Sequence, residues 1–150
     1  MKINVFNETD YNIDLKYYRY FLYFSLKKAE IKGDVNLLFC YDEYIKKLNN
    51  NFRNKNKSTD VLTFSMGGID EGGDIVISYE WVINRYPQTK VKKAILKLII
   101  HSVLHLKGIH HNYTKKSLIE NNEKMKTLYN SVIDAIKENR SKKIKVNYNF

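Results

Sequence analysis

All four histidines of the chain fall within the eleven residues HSVLHLKGIHH, from His101 to His111. Upstream, Ala94, Leu98, His101 and His105 recur at three- and four-residue steps, which predicts a helix carrying both imidazoles on one face, one turn apart. Gly108 follows His105 by three, and glycine enters the left-handed conformation of a helix end without a Cβ penalty. The chain is then expected to turn back and bring His111 or His110 to the same point. Three neutral imidazoles with a fourth position open to water describe a catalytic metal site rather than a closed structural one. Histidines on an apolar stripe can also be core residues satisfied by backbone carbonyls. Two at helical spacing, a glycine stop and a third beyond it favour the metal.

The residue after His101 is Ser102, where the zinc-peptidase helix motif has its glutamate base. Protons must therefore be managed by another group, or by a metal lowering the pKa of its bound water. Cys40 is the only cysteine and sits in the apolar run VNLLFCY. It is read as a small buried hydrophobe, and its solitude argues against a cysteine-based zinc finger.

The rest of the chain alternates between strand and helix patterns. MKINVF alternates as a first strand, and Leu15, Tyr18, Leu22, Ser25 and Ala29 mark a helix from Asp14 to about Ala29. DVNLLFCY is a second strand, after which Asp42 is expected to cap a short helix bearing Tyr44, Ile45 and Leu48. NFRNKNKS reads as a basic loop or helix end, TDVLTFSM as a third strand, GGIDEGG as a flexible turn and DIVIS as a buried fourth strand. Pro87 marks the start of the histidine helix. Thr114 is expected to cap a last helix running to roughly Glu138, with Leu118, Met125, Leu128, Val132 and Ile136 as its apolar stripe. Beyond about residue 139 the basic tail is expected to fray. The pattern is one α/β domain over residues 1–150, with no linker, repeat or low-complexity tract.

Twenty-six Lys and Arg against 16 Asp and Glu give a formal charge of +10 and a pI near 9.5. Such a balance fits a polyanionic partner, RNA or DNA, although a solvated basic surface or an AT-rich genome also raises lysine. Neither a membrane span nor the long apolar stretch of a signal peptide is visible, so the expected compartment is the cytoplasm.

Three motifs in order resemble the YbeY family, bacterial metal-dependent endoribonucleases that process ribosomal RNA. The family pattern H-G-x-L-H-L-x-G-Y-D-H matches His101, Leu104, His105, Leu106, Gly108 and His111. N-K-P-T-D-V-L-S-F-P is met by NKSTDVLTFS from Asn56 to Ser65, and G-D-I-V-I-S is met unchanged from Gly73 to Ser78. The basic position of L-N-x-x-Y-R corresponds to Arg53 in LNNNFR. Ser102 replaces a glycine, Ser58 and Ser65 replace prolines, and Ile109-His110 replace Tyr-Asp, which removes an acidic residue beside the third ligand.

The resemblance implies an α/β fold with a small, mostly parallel mixed sheet of about four strands, flanked by helices, with a zincin-like metal-binding helix across it. It selects His101, His105 and His111 as ligands of one Zn2+, although three imidazoles also suit other divalent transition metals. Arg53 and His101 are then the catalytic candidates, with Arg53, Lys55 and Lys57 contacting RNA. Arg53 can pair bidentately with a phosphate, and the two lysines extend a positive track. The implied activity is single-strand-directed hydrolysis of RNA phosphodiesters at the 3′ end of small-subunit ribosomal RNA and in ribosome quality control, with the ribosome as partner. Two other readings use the same residues: a zinc hydrolase of a peptide or amide, and a non-catalytic ribosome assembly factor braced by its metal.

Overall fold

A computed structural model describes residues 1–109 and 114–148. The chain runs β1 (Ile3–Asn7), α1 (Leu15–Lys28), β2 (Val35–Cys40), α2 (Asp42–Arg53), β3 (Val61–Ser65), β4 (Gly73–Ser78), α3 (Tyr79–Arg85), α4 (Gln88–Leu106) and α5 (Lys115–Tyr148). The four strands form one sheet in the order β1-β2-β4-β3, parallel except where β3 pairs antiparallel with β4. This is the small, mostly parallel mixed sheet expected from the sequence.

Strand periodicity divides the two faces. Val35, Leu37, Phe39, Ile75 and Ile77 point into the main core, which also holds buried residues of α1, α4 and α5. Leu38, Cys40, Leu62, Phe64 and Val76 point to the other face and form a smaller cluster with Ile45 and Leu48 of α2. Within α4, Ile95, Ile99, Ile100, Val103 and Leu106 are fully buried. At about 1.5–3 kcal/mol per buried aliphatic side chain, before the entropy of ordering, they fix the axis of this helix firmly.

The expected helix ends hold in part. Asp14 caps α1 by accepting from the Tyr17 N–H, and the Thr114 Oγ1 accepts from the Ser117 N–H at the start of α5. Gly108 has φ +90°, as the end of the histidine helix requires.

Asp42 does not cap α2. Tyr41 holds that position without a side-chain bond, and Asp42 lies inside the first turn, where its Oδ1 accepts from the Ser78 hydroxyl. The partner that draws it away is 36 residues distant, so local sequence does not reveal it. Helix α3 is likewise unsignalled by periodicity: it is seven residues long, rich in aromatic and β-branched side chains, and depends on the Ser78 cap.

GGIDEGG is a turn, but a tethered one. Lys32 and Gly33 both donate to the Ile69 carbonyl, and the Gly73 N–H donates to the Asp34 carbonyl. A Cβ at Gly72 would lie 2.0 Å from the Asp34 oxygen, and its φ of +70° also requires glycine.

Helix α5 continues past Glu138 to Tyr148, further than its apolar stripe. A Glu138–Lys142 ion pair at 3.3 Å spans one turn beyond that stripe. In the stripe, Val132 and Ile136 are buried, Met125 and Leu128 pack against the core, and Leu118 is exposed. No described helix is long and apolar enough to cross a membrane.

Candidate active site

Helix α4 delivers His101 and His105 as their spacing predicts. Both are half-buried, at the border of a face on which Ser102, Val103 and Leu106 are closed from solvent. Their Nε2 atoms face each other at 3.0 Å, and the rings are tilted by 62°. Two imidazole nitrogens meet this closely when one is protonated and donates to the other, or when both lone pairs converge on a cation. Ligands of a tetrahedral zinc with bonds of 2.0–2.1 Å stand about 3.3–3.4 Å apart, so a few tenths of an ångström of opening would seat the ion. The donor set and its convergence fit zinc.

Among the described residues no group of three or more His, Cys, Asp or Glu side chains is spaced to hold a metal. The third expected ligand, His111, and its neighbour His110 lie outside the described residues. Gly108 leaves the backbone left-handed at the point where the chain departs toward them.

Arg53 closes α2, and Asn54 follows in the left-handed conformation that asparagine tolerates. Its guanidinium is exposed, with Nη2 donating to the Thr63 carbonyl at 3.4 Å. Thr63 lies on β3, an edge strand, and strand alternation turns its side chain to the face that packs against α4. Strand β3 thus stands between the two halves of the candidate site, with the histidine helix against one face and the end of α2 tied to its backbone.

Lys55 and Lys57 are both exposed on the segment that follows. That segment is held by Asn49, the buried asparagine of LNNNFR. Asn49 Nδ2 donates to the Lys57 carbonyl at 3.0 Å, and the Asn49 backbone carbonyl accepts from the Lys55 N–H. The signal for it in the sequence is its position one turn after Ile45 on the buried stripe of α2.

Two other motif residues have local structural duties. Asp60 Oδ1 accepts from the Val61 N–H at 2.7 Å and from the Thr59 hydroxyl, as a turn residue does. Ser78 is fully buried, caps α3 through the Trp81 N–H and donates to Asp42. Cys40 is 1% exposed, and burial pushes its thiol up to about 12, as suits the inert hydrophobe the sequence suggests.

The family model described as Endoribonuclease YbeY matches residues 5–137. The Endoribonuclease YbeY of Phytoplasma australiense is 32% identical over 151 residues, covering 95% of this chain and 100% of that protein. The Endoribonuclease YbeY of Borreliella afzelii is 34% identical over 90 residues, an alignment spanning 52% of this chain and 59% of that protein. The solution structure of TM1509 from Thermotoga maritima matches with a TM-score of 0.65 at 29% identity, covering 93% of this chain and 95% of that one.

Proposed function

The chain belongs to the YbeY endoribonuclease family, and from that premise we propose that it hydrolyses single-stranded RNA phosphodiesters at a metal site built from His101, His105 and His111. The observation that carries this reading is the approach of the His101 and His105 Nε2 atoms to 3.0 Å on one helix face. When bound there, zinc supplies Lewis-acid polarisation of a phosphoryl oxygen. His101 and His105 hold the ion through Nε2, and α4, anchored by its buried aliphatic side chains, keeps those nitrogens in place.

Arg53 serves the phosphate. Among the described residues its exposed guanidinium makes a single long bond, to a backbone carbonyl, which leaves donors to take two phosphate oxygens and stabilise charge developing there. Lys55 and Lys57 bind flanking phosphates, and the formal charge of +10 draws the polyanion toward the site. The substrate is ribosomal RNA, notably the 3′ end of the small-subunit precursor, met on the ribosome in the cytoplasm during maturation and quality control.

The test is Arg53→Ala with bound zinc measured alongside cleavage. We expect unchanged zinc content and a fall in turnover of about 10²–10³-fold, the usual cost of removing one charge-stabilising donor. Unchanged cleavage would remove Arg53 from the mechanism. Loss of zinc together with cleavage would assign it to holding the site rather than to the phosphate.

A further inference from the structure

The sheet face that α2 covers is only half covered. Two residue rows run across this face at right angles to the strands, buried under α2 at their Leu62 and Val76 end and open toward β1. In one row Asn4, Asn36 and Asp74 stand side by side, with Asn4 Nδ2 donating to Asn36 Oδ1 at 3.0 Å and Asn36 Nδ2 donating to Asp74 Oδ1 at 2.9 Å. The row ends at Phe64, the β3 partner of Asp74, whose ring meets Phe52 edge-on at 5.4 Å. In the next row Phe6, Leu38, Val76 and Leu62 are apolar. Tyr44, Leu48 and Phe52, one turn apart along α2, overhang both rows and enclose a groove of about 570 Å³.

Three rings on this groove are turned largely to solvent: Phe52 is 68% exposed, Phe6 49% and Tyr44 47%. Exposed aromatic faces around a floor of planar amide and carboxylate groups match unpaired nucleobases. Each base offers a flat π-face for stacking, and its edge carries donors and acceptors. The Asp74 carboxylate on the floor accepts only one hydrogen bond among the described residues, leaving it to receive an exocyclic amine. It also repels phosphate, which turns the bases inward and leaves the backbone outside.

The charge outside the groove is of the opposite sign. Phe52 is followed directly by Arg53, and Lys55 and Lys57 continue the exposed cationic segment. Phe64 is followed on β3 toward β4 by the tethered turn and preceded by Thr63, whose carbonyl holds Arg53. A strand whose bases stack in the groove can therefore carry its phosphates along the same residues assigned to the substrate backbone.

We propose that the open sheet face between β1, β2 and α2 is a stacking platform for unpaired bases of the RNA substrate, with Phe6, Tyr44 and Phe52 as its rings and Asn36 and Asp74 as its edge-reading groups. The proposal rests on the nuclease reading, and it gives that reading a physical source of preference for single strands, because duplex bases cannot present their faces to the rings.

The experiment measures binding of zinc-loaded protein to a fluorescein-labelled 2′-O-methyl phosphorothioate oligoadenylate of about 12 nucleotides, within the usual site sizes of stacking grooves. A hairpin duplex serves as comparison. Phe52→Leu and Phe6→Leu keep apolar volume but lose the flat ring, whereas Phe52→Tyr keeps it. We expect each leucine variant to weaken single-strand binding on the order of ten-fold. The slope of affinity with salt and the duplex affinity should not change, and Phe52→Tyr should bind as the wild type does.

Leucine variants that bind the single strand normally would overturn the platform and leave the nuclease reading standing. An equal loss on single strand and duplex, or a loss shared by Phe52→Tyr, would overturn it as well. A wild-type chain that binds neither RNA would overturn both readings. Thermal midpoints of the variants separate lost binding from lost folding.

Discussion

Ser102 allows a prediction whose magnitude follows from its surroundings. It is fully buried in α4, between the two candidate ligand histidines in sequence, and its hydroxyl has no hydrogen-bond partner among the described residues. The other fully buried serine in a helix interior, Ser25, behaves differently: its Oγ donates to the Phe21 carbonyl one turn back at 2.8 Å. A buried hydroxyl without a partner costs about 1–3 kcal/mol. Alanine removes that cost and adds about 0.5 kcal/mol of helix propensity, against a small loss of packing where one oxygen is deleted. Ser102→Ala should therefore be more stable than the wild type by about 1 kcal/mol or more, raising Tm by about 2–4 °C per kcal/mol in a chain of this size.

Ser25→Ala loses a satisfied hydrogen bond and should be less stable by about 1 kcal/mol. Urea unfolding of the three metal-free proteins, with equal m-values as the check on two-state behaviour, measures both differences. Opposite signs for the two serines are the expected result. Destabilisation by Ser102→Ala would show that its hydroxyl is bonded.

Other perturbations follow from the same packing. Gly72→Ala places a Cβ against the Asp34 backbone oxygen at a positive φ, and it should cost at least about 2 kcal/mol by thermal or urea unfolding. Burial raises the Cys40 thiol from 9.0 to about 12 and also raises the Tyr18 hydroxyl, so the folded state holds these protons more tightly than the unfolded one. The stability contributed by the neutral thiol is complete below about pH 9 and is lost progressively up to about pH 12. Cys40→Ser should flatten that part of the stability-versus-pH profile; an unchanged slope would assign the alkaline loss elsewhere. Lys55→Ala with Lys57→Ala should weaken RNA binding and reduce the salt slope by about 0.7 for each phosphate that is no longer neutralised.

The features legible in the sequence are those decided within a few residues. The helical spacing of His101 and His105, the left-handed exit at Gly108, the buried setting of Cys40 and the alternation of strands and helices all depend on local pattern, and the structure has each of them. What escaped depends on partners far along the chain. Asp42 is diverted from capping by Ser78, and the turn at residues 67–73 is fastened by residues 32–34. The ladder Asn4–Asn36–Asp74 joins residues 32 and 38 positions apart, so only strand order and register could disclose it. The open sheet face was invisible for the same reason: nothing local says that α2 covers only half of it.

The most direct test of the account is zinc content and cleavage of precursor small-subunit ribosomal RNA by His101→Ala, His105→Ala and His111→Ala beside the wild type, all purified identically. We expect about one zinc per wild-type chain, cleavage by the wild type alone, and loss of both metal and activity in each variant. Cleavage that persists in a variant stripped of zinc would contradict it.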